Sequence, residues 1–457
     1  MLFRPSYLSF LAGILFSKPL PSQLISSEHN YAMNAPAVVM VQSVYSATIY
    51  VNRVEMNKLR FNRLVDSVRA LDTTGQIYSP AQKLDIVVRA LYRSPLRYFS
   101  PGLEYFRQVH RVQGTGTGFF ITGDGYLATN AHIIERDSAY IRNKFVLSTF
   151  EEVTRQNVNA LESSWAMTLS EQQRQLLHNA YGVIFSAISD MILFDLRNEI
   201  FVLYRADSDT GTVTVRRKAR LITKGRAMPG KDVAILKVDG VRELPTILPA
   251  RDTAIRIGTR VLVLGYPDPA TANVYLAPES PEPTLTSGIV SAVKRSLAGW
   301  PVIQMDADIS HGSSGSPVFN ETGEVIGIAT FGSLAQHGGG LASGFNFAIP
   351  FSIIREYLDS AGVQASQSRA TRAFQQGLRL FYDQFYRKAS EKFRETRKLN
   401  PGYFQVNQFI RDCELKIAGG GDRHAPPRRY VLVIMIAIAA MTAVYLLFLR
   451  RSRKSRR

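Results

Sequence analysis

Hydrophobic positions change period several times along this chain, and each change marks a different element. Tyr7 to Phe16 is a short apolar run with Arg4 before it and Lys18, Pro19 and Pro21 closing it. That is the pattern of an export signal over residues 1–22, although no small-x-small cleavage site follows. A cleaved signal, an uncleaved anchor and sequence upstream of a start at Met33 all fit it. Residues 46–108 read as a helical N-terminal region. Within it Ser79-Pro80-Ala81-Gln82 forms a capping box with proline at the first helical position. Leu84, Val87, Val88 and Leu91 then recur at helical spacing. The pattern repeats at about 145–200, where Ser170-Glu171-Gln172-Gln173 caps a stripe of Leu176, Leu177, Ala180, Val183 and Ile184. This second helical stretch reads either as packing against its neighbours or as a lid or partner-docking element.

The last third has a different texture. Ala373, Gly377, Ala389, Phe393 and Pro401 follow the small, small, aromatic and proline positions of one tetratricopeptide repeat. Residues 366–418 are therefore expected to be a helical segment, with Gln405 to Ile417 supplying a further helix. One such unit cannot bury its own face and must dock on something. A helical hairpin with a chance match is the alternative. Gly419-Gly420-Gly421 and Pro426-Pro427 mark a linker at 419–429. Residues 430–449 then run apolar except for Thr442, about the length that crosses a bilayer. Arg428 and Arg429 precede the run and a basic tail, 450–457, follows it. Positive charge concentrated after the span predicts a single pass with a cytoplasmic tail and the body outside the cytoplasm.

Composition adds bounds. At 457 residues the chain is long enough for two or three domains, and 46% apolar residues is ordinary for a packed core. The single cysteine, Cys413, excludes an intramolecular disulfide. The formal net charge is +18. Much of the excess lies in the tail and in Arg216 to Lys231. With no aromatic residues interleaved among those bases, nucleic acid is not an expected partner.

Three segments carry candidate chemistry. Gly114-Thr115-Gly116-Thr117-Gly118-Phe119-Phe120-Ile121 runs on to Ala128-Thr129-Asn130-Ala131-His132. Lys231-Asp232-Val233-Ala234-Ile235-Leu236-Lys237-Val238 follows. Third comes Asp306-Ala307-Asp308-Ile309, leading into His311-Gly312-Ser313-Ser314-Gly315-Ser316-Pro317. They present His, Asp and Ser in the chain order of a chymotrypsin-type triad. On these residues the chain, from about Val112 to Tyr357, resembles the trypsin-like serine peptidases, and within them the HtrA/Deg branch. Gly323-Glu324-Val325-Ile326-Gly327-Ile328 and Gly344-Phe345-Asn346-Phe347-Ala348-Ile349-Pro350 resemble the same branch. No PDZ pattern follows Tyr357.

The resemblance implies a mainly β fold of two six-stranded barrels over 110–360. A helical N-terminal arm, a helical insertion and a C-terminal helical segment would surround them. Ser314 is the expected nucleophile, His132 its base and Asp232 the group that orients the base. Backbone N–H groups of Gly312 and Ser314 would form the oxyanion hole. Ser313 is the rival nucleophile. Gly315-Ser316-Pro317 stands where the family has Gly-Gly-Pro. Asp308 is a candidate for the base of a specificity pocket, which would select Arg or Lys, whereas the branch implies small or medium apolar residues. His311 and His337 read as loop residues. Substrates are then proteins or peptides, and no metal or cofactor is expected. A homo-oligomer is among the expected states, although residues 46–108 match no assembly segment of the branch. The competing class is a non-catalytic or latent scaffold that holds a protein partner through its helical segments.

Overall fold

A computed structural model of the chain describes residues 25–71, 78–135, 138–188, 191–250, 255–267, 282–334, 341–423 and 442. Two closed barrels of six strands form its centre. The first contains β1 (Val38–Met56), β2 (Phe99–Phe120), β3 (Tyr126–Thr129), β4 (Met191–Ser208), β5 (Gly211–Lys224) and β6 (Ala234–Lys237). The second contains β7 (Arg260–Gly265), β8 (Thr284–Arg295), β9 (Pro301–Met305), β10 (Pro317–Phe319), β11 (Val325–Leu334) and β12 (Leu341–Pro350). Each barrel has its own core, Val41, Phe120 and Leu236 in the first and Val263, Ile303 and Ala348 in the second. A third cluster joins them, with Phe119, Ile121 and Val233 packed alongside Leu264, Phe319 and Ile349. The cleft between the barrels is therefore seated on shared core.

Two expectations need correction here. Residues 46–56 and 99–108 are strand, not helix, and the first barrel begins at Val38 rather than near 110. The cause is a period-two pattern. Val41, Ser43, Tyr45, Ala47, Ile49 and Val51 are buried while the residues between them are half-buried. β1 and β2 pair from Val38↔Phe119 to Met56↔Phe99, and β4 stays on β1 as far as Val51↔Met191, so a long ribbon leaves the barrel that is two-stranded only at its tip. The helices expected in this region are confined to its tip, as α1 (Lys58–Ala70), α2 (Pro80–Arg93) and α3 (Pro95–Tyr98). The Ser79 capping box forms in full at the start of α2.

The second insertion is also displaced from 145–200. The short α4 (Ala131–Ile134) is followed by α5 (Ser138–Trp165) and α6 (Glu171–Ile188), and β4 already starts at Met191. Ser170 and Gln173 cap α6 reciprocally, each backbone N–H donating to the other side chain. The two insertions pack on each other. Val88 and Leu91 of α2 share a core with Leu177, Tyr181 and Ile184 of α6, and Phe61 stacks on Trp165 with centroids 5.9 Å apart. A helical lobe thus covers one face of the ribbon.

After β12, α7 (Phe351–Ser360) closes the second barrel. α8 (Arg369–Tyr382), α9 (Tyr386–Leu399) and α10 (Val406–Ala418) then form the expected helical segment. Ala373, Ala389 and Phe393 are buried, and a Cβ at Gly377 would lie 2.7 Å from the Phe393 ring. The segment docks on the first barrel. Arg369 pairs with Glu243, Thr371 accepts the Thr246 N–H, and Asp207 accepts the N–H groups of Gln405 and Asn407. The export signal, most of the 430–449 span and the basic tail lie outside the described residues. Among the described residues no helix is long and apolar enough to cross a membrane.

If the insertions form one folding unit, Leu91→Ala should cost about 2–5 kcal/mol of lobe stability, as for other fully buried leucines. Hydrogen exchange should then quicken in both 80–93 and 171–188 while the barrels keep their protection. Quickening in 80–93 alone would contradict a shared core.

Candidate active site

The site is built where β2, α4 and the loop before β6 meet the turn before β10. Asn130 ends the β3 segment fully buried, and its side-chain amide donates to the Asp232 carbonyl at 2.7 Å. That bond ties the start of the histidine helix to the aspartate strand. The His132 backbone N–H donates to Asp232 Oδ1 at 2.9 Å, and His132 Nδ1 lies 2.6 Å from Oδ2. A carboxylate only accepts, so Nδ1 carries the proton and Nε2 presents its lone pair. Thr330 Oγ1 donates to the same Oδ2 at 2.8 Å. Asp232 is 1% exposed, so these donors compensate its removal from water. The far end of α4 is held as well. Ser43 Oγ donates to the Ile133 carbonyl at 2.8 Å, and Tyr45 OH and Asn198 Nδ2 donate to the Ile134 carbonyl at 3.1 and 2.7 Å.

The serine turn is fixed from the first barrel. Thr117, fully buried on β2, donates its N–H to the Ser314 carbonyl at 2.8 Å and its hydroxyl to the Gly312 carbonyl at 2.8 Å. Its hydroxyl accepts the Tyr266 N–H at 2.9 Å, and its carbonyl accepts Thr129 Oγ1 at 2.7 Å. Gly312 and Gly315 have φ of +88° and +89°. At Gly315 a Cβ would also meet the Thr117 carbonyl at 1.8 Å, so no side chain fits.

Within this turn the Ser313 N–H donates to the Ser310 carbonyl at 2.9 Å. The N–H groups of Gly312 and Ser314 donate to no protein acceptor among the described residues. They are the two groups expected to hold an oxyanion. Ser313 is 7% exposed, and its hydroxyl accepts the Ser310 N–H at 3.2 Å, which removes it as the rival nucleophile. Ser314 Oγ donates to the Thr330 carbonyl at 2.9 Å, and no hydrogen bond joins it to His132 in this structure. Thr330 therefore touches both Asp232 and Ser314.

Asp308 does not floor an enclosed pocket, because the residue is exposed, with its backbone carbonyl taken by Thr286 Oγ1 at 2.8 Å. His311 is exposed, and His337 lies outside the described residues. Among the described residues no cluster of His, Cys, Asp and Glu could hold a metal. Sequence reasoning missed Thr330, Asn130 and Thr117 as site residues. Each carried a signal. Thr330 interrupts the apolar run Val325–Phe331, Asn130 precedes the histidine, and Thr117 sits between two glycines.

Residues 116–328 match the family described as a trypsin-like peptidase domain. The fold is trypsin-like. A "Probable periplasmic serine endoprotease DegP-like" of Rhizobium meliloti (strain 1021) is 27% identical over 262 residues, 57% of this chain and 35% of that protein. A protein of the same description from Pseudomonas fulva (strain 12-X) is 34% identical over 168 residues, 36% of this chain and 32% of that protein. "Serine protease HTRA1B" of Danio rerio is 34% identical over 157 residues, 33% of this chain and 29% of that protein. The chain thus spans about a third of the length of these relatives. A solved structure, "HtrA-type protease AlgW with decapeptide", is 19% identical and covers 74% of this chain and 67% of its own, with a TM-score of 0.36.

Ser316, in the trypsin-like turn, is fully buried with no partner for its hydroxyl among the described residues. It fills the space where a Cβ on Gly265 would stand. Removing an unpaired buried hydroxyl relieves a cost of about 1–3 kcal/mol. Ser316→Ala should therefore raise the thermal midpoint, read by calorimetry, and a lower midpoint would mean that the hydroxyl has a partner.

Proposed function

We propose that this chain is a serine endopeptidase of HtrA-like type, acting on protein or peptide substrates through Ser314, His132 and Asp232. The observation that carries the reading is the Asp232 carboxylate holding both the backbone and Nδ1 of His132 beside a turn with two N–H groups unengaged among the described residues. In the reaction the Ser314 hydroxyl turns from the Thr330 carbonyl to His132 Nε2 and loses its proton there as Oγ attacks the scissile carbonyl. The oxyanion is received by the N–H groups of Gly312 and Ser314, a contribution of about 3–4 kcal/mol per donor in comparable sites. His132 then gives its proton to the leaving amine, leaving an acyl group on Oγ. Water, deprotonated by the same imidazole, releases the product acid. The bond from Ser314 Oγ to Thr330 favours a second reading of this state as a resting one, converted by substrate.

The finer setting belongs to the same proposal. The apolar stretch 430–449 and the basic tail support a single-pass anchor, with the peptidase outside the cytoplasm. Small residues where α8 meets α9 support the tetratricopeptide-like reading of 366–418. Apolar preference and homo-oligomer formation follow from likeness to the HtrA/Deg branch.

The test is labelling of the full chain with a fluorophosphonate, mapped by peptide mass spectrometry. Label on Ser314 is expected, lost in Ser314→Ala and strongly reduced in His132→Ala. A folded protein that takes no label at Ser314 would contradict the proposal. Thr330→Val keeps the carbonyl but removes the hydroxyl from Asp232. Hydrogen bonds to charged groups contribute about 1.5–3 kcal/mol, so kcat/KM for a peptide substrate should fall roughly 10- to 100-fold. An unchanged kcat/KM would mean that this bond does not orient the dyad.

A further inference from the structure

Away from the catalytic cleft, a half-open groove of about 860 Å³ lies between α5, α4 and the inner face of β4 and β5. Its walls are Ile141, Met191, Leu193, Leu196, Ile200 and Leu221. Leu196 and Leu221 are 55% and 40% exposed, so the apolar surface is left uncovered. The polar groups inside are engaged. Tyr45 OH and Asn198 Nδ2 both donate to the Ile134 carbonyl. At the rim Lys224 pairs with Glu135. Arg142, also lining the groove, has no carboxylate partner among the described residues.

Two occupants fit an apolar groove beside a strand edge, and the edge decides between them. β4 loses its β5 partner before Ile200, so residues 191–199 have one open edge among the described residues. That edge is not regular. The register against β1 breaks between Ser46↔Arg197 and Thr48↔Phe194, and Asp195 takes a φ of +56°. Asp195 and Arg197 also pair across the bulge at 2.6 Å. A bulged, charged edge opposes strand addition by a peptide. An acyl chain needs no backbone partners, only apolar walls and a cation for its head group.

We propose that this groove binds a long-chain fatty acid, with the chain against Ile141, Leu193, Leu196 and Leu221 and the carboxylate at Arg142. Its volume lies within the usual range for small-molecule sites, roughly 300–1,000 Å³. The groove is floored by Ile134, Tyr45 and Asn198, whose bonds hold the end of the helix that carries His132. Occupancy is therefore coupled to the placement of His132, a corollary that rests on the peptidase reading.

The test uses the full chain and a palmitate analogue bearing a photoreactive diazirine, with cross-links mapped by peptide mass spectrometry. Cross-links within 134–142 and 191–200 are expected, displaced by palmitate at a concentration where hexadecanol, which lacks the carboxylate, does not compete. Arg142→Glu, at an exposed position, should lower labelling about tenfold, and Leu221→Glu should abolish it. Labelling spread over the surface, or equal in both variants and wild type, would overturn the site. Equal competition by hexadecanol would overturn the role of Arg142. This readout uses no peptidase activity, so its failure is separable from failure at Ser314. Palmitate should also change the rate at which Ser314 takes a fluorophosphonate at least threefold. An unchanged rate with binding intact would overturn the coupling to His132.

Discussion

The site depends on one buried threonine. Thr117 belongs to the first barrel, yet its N–H and hydroxyl hold the carbonyls of Ser314 and Gly312 in the second. The N–H groups that follow these two carbonyls, on Ser313 and Gly315, donate to the carbonyls of Ser310 and Ala329, and the Ser313 carbonyl accepts the Ser316 N–H, so the turn is pinned on every side except at the Gly312 and Ser314 N–H groups, which stay unengaged among the described residues. Thr117 also takes the Tyr266 N–H and the Thr129 hydroxyl, so all its polar atoms are used inside the protein. The glycine at 315 is the counterpart of that close approach. Asp232, Asn130 and Thr330 do the same work on the histidine side. Thr330 links the halves, its hydroxyl on Asp232 and its carbonyl under the Ser314 hydroxyl.

Around this centre the long β1–β2 ribbon is the main departure from a bare pair of barrels. Its length follows from an alternating apolar pattern that runs well past the barrel rim, leaving an inner face with Tyr45, Ile49 and Val51 to be covered. Two insertions far apart in sequence supply the cover, α1 to α3 at the ribbon tip and α5 to α6 across its face. Together they enclose Leu91, Leu177 and Ile184.

The triad segments were legible because each joins a reactive residue to a backbone requirement. Thr-Asn-Ala-His places an amide where it bonds the aspartate strand, and Gly-Ser-Ser-Gly supplies two positive-φ positions on either side of the nucleophile. The Ser79 and Ser170 capping boxes were legible for the same reason, since their bonds are local. β1 was not, because Ser43, Ser46 and Thr48 dilute its alternation, whereas the helical signal at Leu84–Leu91 nearby is strong. Thr330 shows in the sequence only as a polar break in an apolar run, and its role is not readable there because its partners lie 98 residues upstream in Asp232 and 16 residues upstream in Ser314. Asp308 failed as a pocket floor since only its distance from the serine, not its burial, was readable.

The most direct measurement is the second-order rate of fluorophosphonate reaction at Ser314 in Thr117→Val, compared with wild type, in protein shown folded by hydrogen exchange. Valine preserves the shape and the main-chain bond but removes the hydroxyl from Gly312 and Tyr266. Losing two such bonds, at about 0.5–1.5 kcal/mol each, predicts a rate lower by about 5- to 150-fold. A wild-type rate would contradict the claim that the first barrel sets the nucleophile turn of the second.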